Sequence, residues 1–265
     1  MKCCICGTVR DCGSYLEKVL LNMETVGELF EDYAIFLYYD KSSDNTLDIL
    51  QTYHNLHPKR MSFYVNKQPL LPLRTQRIAK GRNMCLKTIR NKYSDFPYFI
   101  VMDCDNVCSG KVDVDVLRNS LQRNDWDCLS FFRDPYYDIW ALSIEPYYLS
   151  CWHFRPGKKR VSMIKQFIHN KIKELSKDEL FSCESAFNGF AIYKTEYFLD
   201  CYYDGFFRLE LWDKEVVKTC LQEAIRDGFT INKERMDDCE HRSFHLMSIR
   251  KHGSRIRISP DILFS

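Results

Sequence analysis

Glycine and proline are scarce in this 265-residue chain, at ten and eight residues. That scarcity excludes collagen-like and low-complexity disordered chains, which need far more of both. No G-x-x-x-x-G-K-[ST] or G-x-G-x-x-G pattern occurs, so the phosphate cradles of P-loop and Rossmann dinucleotide proteins are missing. No run of 18 apolar residues is present, whereas a bilayer-spanning helix needs about 20. The N-terminal Met1-Lys2-Cys3-Cys4-Ile5-Cys6-Gly7 enters a strand-like segment without the apolar region of a signal peptide. Charge of one sign is lacking too: 38 basic residues against 36 acidic leave +2. That balance excludes the global field of a non-specific nucleic-acid or membrane binder. The sequence therefore predicts a soluble, unprocessed protein with no transmembrane segment and no nucleic-acid partner.

Cysteine, by contrast, is abundant. Thirteen is an odd number, and a secreted disulfide framework is normally short and even in count. A reducing compartment is expected, with buried thiols acting as small hydrophobes. Cys3, Cys4, Cys6 and Cys12 crowd together within an apolar strand pattern, which favours burial over a zinc or iron–sulfur cluster. With 45% apolar and 28% charged residues, the composition is that of an ordinary globular protein. The length suits a single domain over 1–265.

The first half alternates strand and helix signals: strand 3–9, helix 12–30, strand 33–39, helix 44–55, strand 61–65, helix 78–91, strand 97–102 and helix 113–122. Ala34 to Tyr39 and Tyr98 to Met102 are nearly continuous apolar runs. Such runs suit parallel strands covered on both faces, so an α/β fold follows, with a mostly parallel twisted sheet and helices on both sides. Its ligands are expected beyond the C-terminal ends of the strands. The second half is less regular. Strand-like 127–133 leads into an aromatic segment, 134–157, then a basic helix near 161–175 and a strand from Phe187 to Tyr193. Helices near 213–227 and 240–252 and a strand from Arg255 to Ser259 complete it.

The strongest chemical signal is Met102-Asp103-Cys104-Asp105-Asn106, directly after an apolar run. On extended backbone, residues i and i+2 point the same way, so Asp103 and Asp105 present two carboxylates together. Oxygen donors of this kind suit Mn²⁺ or Mg²⁺, which bind through one or two carboxylates plus substrate phosphates. The plainer alternative is a pair of acidic residues capping the next helix. An EF-hand is excluded by Val107, Cys108 and Val114 at the third ligand, turn-glycine and bidentate-glutamate positions.

A second signal is Tyr39-Asp40-Lys41-Ser42-Ser43-Asp44-Asn45-Thr46. Asp40 suits a hydrogen bond from a base N–H, or simply a turn. Ser43 and Asp44 suit capping of the helix that opens at Asn45, and Asp44 is at the same time a candidate donor-binding residue. The third signal, Ile78-Ala79-Lys80-Gly81-Arg82-Asn83, opens an amphipathic helix. Lys80 and Arg82 near a helix N-terminus, with Gly81 allowing close approach, predict a site for ribose hydroxyls and phosphates. The alternative there is a solvated basic helix start.

Taken in order, Gly7-Thr8-Val9-Arg10, D-x-S-x-D-N-T at 40–46, A-K-G-R-N at 79–83 and D-x-D at 103–105 resemble the GT-A glycosyltransferases. The resemblance implies that Thr8, Arg10 and Asp40 line a nucleoside site and that Arg82 contacts the sugar or ribose. It implies that Asp103-Cys104-Asp105 meets the Mn²⁺-bridged diphosphate of a UDP-sugar. About 1–110 would form the nucleotide-sugar half and about 111–265 the acceptor half. Ala186-Phe187-Asn188-Gly189-Phe190-Ala191-Ile192-Tyr193 is similar to the strand that floors the sugar and acceptor pocket, making Asn188 and Glu184 its polar candidates.

Asp237-Asp238-Cys239-Glu240-His241-Arg242 resembles the family's acidic E-D motif, with His241 in place of the usual Asp. That Asp is the general base of inverting members, so Glu240 or Asp238 becomes the base candidate. His241 and His245 share a helix face and are candidate metal ligands. An ordinary helix start with acids against its dipole is the plainer alternative. The motif style is similar to GT-A enzymes of giant DNA viruses. This implies retaining transfer of glucose from UDP-glucose to galactosylhydroxylysine in a collagen-like glycoprotein, with the host cytoplasm as location.

Trp140, Trp152, Tyr136 and Tyr137 suit stacking on sugar rings, or else a core. Arg155 to Lys173 holds seven Lys or Arg and no acid; a solvated helix face is expected over a mobile lid. Two other functions share parts of this pattern. A sugar nucleotidyltransferase would also use paired aspartates, but Gly7-Thr8-Val9-Arg10 is too short for its glycine-rich loop. A non-catalytic glycan- or protein-binding module has no need of two costly adjacent carboxylates.

Overall fold

Strand and helix alternate through the first half of the chain, as the apolar periodicity requires. The computed structural model describes residues 1–176 and 178–265. The first half runs β1 (Lys2–Val9), α1 (Gly13–Gly27), β2 (Asp32–Tyr39), α2 (Thr46–Leu56), β3 (Met61–Val65), α3 (Arg74–Lys92), β4 (Tyr98–Met102), α4 (Val114–Leu121) and β5 (Cys128–Phe132). The second adds β6 (Phe154–Arg155), α5 (Gly157–Lys173), β7 (Phe181–Cys183), β8 (Phe190–Lys194), α6 (Lys214–Arg226), β9 (Thr230–Ile231), α7 (Glu240–His252) and β10 (Ile256–Ile262).

Eight strands form one sheet in the order β3-β2-β1-β4-β8-β5-β10-β7, while β6 and β9 pair separately. β3, β2, β1 and β4 are parallel, β8 runs antiparallel between β4 and β5, and β7 is antiparallel to β10. Alternate residues feed two cores. Cys4, Cys6, Phe36, Tyr38, Phe99 and Val101 face Ala79, Leu86 and Ile89 of α3 and Phe244 of α7. Cys3, Ile5, Ile35, Leu37, Ile100 and Met102 face Leu16, Leu20 and Met23 of α1 and Leu117 of α4. Each fully buried aliphatic or aromatic side chain contributes about 1.5–3 kcal/mol, so both faces of the sheet are strongly held. No helix among the described residues is long and apolar enough to cross a membrane.

Two of the boundaries that differ from the sequence expectation bear on the site. The helix expected at 78–91 begins at Arg74, which puts Lys80 and Arg82 inside it rather than at its N-terminus. Its buried stripe is Thr75, Ala79, Arg82, Leu86 and Ile89. Two polar members complete the helical period, and apolar counting misses them. The strand expected from Phe187 begins at Phe190. Asn188 and Gly189 before it take left-handed backbone, with φ of 58° and 91°, which turns the chain into β8 where the Gly189 carbonyl accepts the Asp103 amide at 2.8 Å.

Candidate active site

Val9, Tyr39 and Met102 end adjacent parallel strands, with β1 at the centre. Side chains just beyond them open into a cavity of about 640 Å³, within the usual range for small-ligand sites. Thr8, Arg10 and Asp11 come from the end of β1, Tyr38 and Asp40 from β2, and Asp103, Cys104 and Asp105 from β4. Arg74, Arg77, Ile78 and Arg82 of α3 form a second wall; Tyr137, Asp138, Trp140, Trp152 and Glu240 form a third.

On the side built by β1 and β2, backbone amides and short polar side chains lock the loops together. Asp11, at a φ of 48°, accepts the Ser43 amide at 2.6 Å. Asp44 accepts the Gly13 amide at 2.8 Å and the Thr46 amide at 3.1 Å. It therefore ties the turn of residues 40–46 to the start of α1 and stands outside the cavity. Asp40 is 7% exposed and accepts Asn66 Nδ2 at 2.8 Å. Lys80 Nζ donates to Asn66 at 3.3 Å, so Lys80 supports the wall from behind, a correction to its expected phosphate contact that follows from the earlier helix start. Gly81 permits the close approach of α3: a Cβ there would stand 2.6 Å from Thr8 Cγ2 and 2.7 Å from Tyr38 Cδ1.

The floor is acidic. Asp103 and Asp105 both reach the cavity; Asp105 also accepts the Val107 amide at 3.0 Å, capping the short turn that follows. The capping reading thus describes Asp105, whose carboxylate also lines the cavity. Arg82 is buried between carboxylates: Nη2 donates to Asp103 Oδ1 at 3.1 Å, and Nε lies 2.9 Å from Glu240 Oε1. Its guanidinium carbon sits 4.5 Å from the Phe187 ring centroid. Burial disfavours the Arg82 charge, but Glu240 and Asp103 outweigh that and its pKa is raised. Burial pushes Asp103 up to about 7; Arg82 opposes the rise, while Asp105, Asp138 and Glu240 add to it. Asp138 is pushed up to about 6 by burial and then by Glu240. Asp103 and Glu240 share one buried guanidinium, while Asp105 and Asp138 have no ion-pair partner among the described residues, an arrangement that would accommodate a divalent cation. All the donors are oxygens, which fits Mn²⁺ or Mg²⁺.

Several predicted residues lie outside the cavity. Asp238 accepts Arg242 Nε at 2.9 Å and the Cys239 amide at 2.8 Å, a buried ion pair at the start of α7. The Glu184 amide donates to Ser143 at 2.9 Å. Asn188 accepts the amides of Tyr137 and Asp138, each at 2.9 Å, and donates to the Phe131 carbonyl at 2.8 Å. His241 stacks on Phe187 with centroids 3.8 Å apart. His245 lies 3.0 Å from Ser185 Oγ and 3.1 Å from the Tyr193 hydroxyl. Burial lowers the pKa of both rings, that of His245 to about 3. Neither joins Asp103 and Asp105. Among the described residues, the one trio of metal-ligating side chains in close reach is Asp200, Cys201 and His252, outside the cavity. All thirteen cysteines are free and buried.

Tyr38, Asp11, Arg74, Arg77 and Asp138 line the cavity without having been singled out from sequence. Arg74 and Arg77 follow from the true start of α3. Asp138 sits in an irregular aromatic segment with no periodic signal to place it.

The sequence matches no curated protein. In structure the chain is similar to S. aureus TarS 1–349 in complex with UDP-GlcNAc, at 11% identity and a TM-score of 0.50 over 100% of this chain and 57% of that one. It is also similar to the mannosyltransferase PcManGT from Pyrobaculum calidifontis in complex with GDP-Man and Mn²⁺, at 10% identity and a TM-score of 0.45 over 97% of this chain and 56% of that one. The chain thus spans little more than half the length of either. The family model of glycosyl transferase family 2 matches residues 8–194, a stretch that runs from the end of β1 through Asp40, Arg82, Asp103 and Asp105 to β8. The chain therefore belongs to glycosyl transferase family 2, with a fold of GT-A type.

Proposed function

We propose that the cavity binds a nucleotide-sugar donor together with Mn²⁺ or Mg²⁺ and transfers the sugar to a hydroxyl of a glycan or glycoprotein. The observation that carries this reading is the meeting of Thr8, Arg10, Asp40, Asp103 and Asp105 in one cavity at the strand ends. Asp40 and the β1 end suit a nucleoside, Arg10 a phosphate or ribose, and Asp103 with Asp105 the cation. When bound, the cation would neutralise the diphosphate leaving group. Arg82 holds the Asp103 carboxylate in place.

The finer reading is transfer from UDP-glucose to galactosylhydroxylysine of a collagen-like glycoprotein. It is supported by the motif resemblance to giant-DNA-virus enzymes and by Trp140 and Trp152, whose rings lie 5.7 Å apart at the cavity wall and suit stacking against a sugar. A thermal-shift and donor-hydrolysis screen tests both levels, using UDP-glucose, UDP-galactose, UDP-N-acetylglucosamine and GDP-mannose with and without Mn²⁺. A ligand at a hundredfold excess over its Kd raises stability by about 2.7 kcal/mol. A Mn²⁺-dependent shift with one donor, lost in Asp105→Ala, supports the transferase and names the sugar. No shift and no hydrolysis with any donor sinks it.

A further inference from the structure

Two carboxylates from the second half of the chain, Glu240 and Asp138, line the cavity, and their surroundings differ. Glu240 is 4% exposed and lies 2.9 Å from Arg82 Nε. Protonating it would remove one of the two carboxylates, Glu240 and Asp103, that balance the buried Arg82 guanidinium, which is costly. Asp138 has no ion-pair partner among the described residues; its carboxylate accepts the Ala141 amide at 3.2 Å. We propose that Asp138, not Glu240, is the catalytic base: it contacts the acceptor hydroxyl and takes its proton. This rests on the glycosyl-transfer reading above.

Three further observations support the assignment. The backbone that carries Asp138 is pinned, because Asn188 accepts the amides of Tyr137 and Asp138 at 2.9 Å. Asn188, a left-handed residue just before β8, thereby acts as a positioning residue for the base. Trp140, two residues further along, lines the same wall as Asp138, and an aromatic ring there suits contact with a sugar. Burial and the facing Glu240 raise the Asp138 pKa to about 6, with the Ala141 amide, Arg82 and Arg242 opposing. A base near the working pH has the useful balance of ionised fraction and proton affinity.

The step balances without a further reactant. The acceptor O–H proton moves to the Asp138 carboxylate as the acceptor oxygen bonds to the sugar's anomeric carbon. The bond from that carbon to the diphosphate breaks, and the electron pair leaves on the nucleotide. Asp138 then returns its proton to solvent. Direct displacement of this kind inverts the anomeric centre, which departs from the retention implied by the viral resemblance.

The test compares the full chain with Asp138→Asn, Asp138→Gly and Glu240→Gln, using the four donors above, Mn²⁺, and galactosylhydroxylysine or water as acceptor. Asp138→Asn should lower kcat by roughly 100-fold or more while its thermal shift with UDP and Mn²⁺ matches the wild type. Wild-type kcat should fall on the acid side near pH 6, a limb that Asp138→Asn lacks, and formate should restore turnover to Asp138→Gly. Proton NMR of the product should show an inverted anomeric centre. Asp138→Asn turnover within a few-fold of wild type, or a retained centre, overturns the assignment and leaves the transferase reading standing. A wild-type protein inactive on every donor overturns both.

Discussion

Arg82 Nη2 donates to Asp103 Oδ1 at 3.1 Å, so a residue in the middle of α3 fixes a carboxylate beyond the end of β4. The guanidinium serves two masters, because its Nε also lies 2.9 Å from Glu240 at the start of α7. Arg is suited to this by its fixed fork of donors. Arg82→Lys keeps the charge but cannot reach both carboxylates with the same geometry. It should weaken Mn²⁺-dependent nucleotide binding by about 10–100-fold, the usual scale for a partner of a metal-binding carboxylate, read as the Mn²⁺ concentration needed for the UDP thermal shift. Arg82→Met leaves Glu240 buried and unpaired and should cost about 3–5 kcal/mol in urea unfolding.

The packing of α3 against the β1 and β2 ends gives a second prediction. At Gly81 a Cβ would meet Thr8 and Tyr38 at 2.6 and 2.7 Å, and both line the cavity. Gly81→Ala gains helix propensity of about 1 kcal/mol yet must push these side chains aside. Urea unfolding should show little gain or a net loss, and UDP affinity should fall. Wild-type affinity in this variant would show that α3 yields instead and that Thr8 and Tyr38 are not fixed parts of the nucleoside wall.

How much of this was legible in the sequence depends on which signal carried it. The strand-end motifs were visible because their apolar runs stop abruptly at Asp40 and Asp103, and a parallel sheet gathers such ends at one edge. The antiparallel β8 was not, since Phe190 to Lys194 is as apolar as its parallel neighbours and direction leaves no mark on composition. The roles within the Asp237–His245 stretch were hidden for a different reason. Glu240, Asp238, His241 and His245 all look polar and exposed in sequence, yet all are buried, and only Glu240 reaches the cavity. Asp138 depends on Asn188, 50 residues away, a pairing no local pattern reports.

The thiols give a third prediction. All thirteen are free and buried, and burial raises the pKa of those at Cys3, Cys104, Cys108 and Cys128 well above the ordinary value. Thiolate is the reactive form, so the folded protein should consume almost no Ellman's reagent over minutes, and all thirteen should react in guanidinium. Rapid reaction of several thiols in the native state would mean that the sheet core opens readily.

Asp127 gives the fourth, at the opposite end of the sheet from the cavity. It is 2% exposed, and its carboxylate accepts the Arg255 amide and side chain at 2.9 Å and Lys194 Nζ at 3.1 Å. Its own amide donates to the Arg255 carbonyl at 2.9 Å. One side chain thus joins the start of β5, the start of β10 and the end of β8. Burial acts to raise its pKa, but the Arg255 and Lys194 contacts win and hold it down at about 2. A depressed folded-state pKa contributes stability that is fully present above the unfolded value of about 4. It is lost as pH falls from there through about 2. With Arg255 partly exposed, a contribution of about 1–2 kcal/mol is expected. Asp127→Asn should therefore lower urea stability by that amount at pH 7, and the gap to wild type should close as pH falls below about 3. A gap that stays constant across this range would assign the loss to packing or hydrogen bonding rather than to the charge.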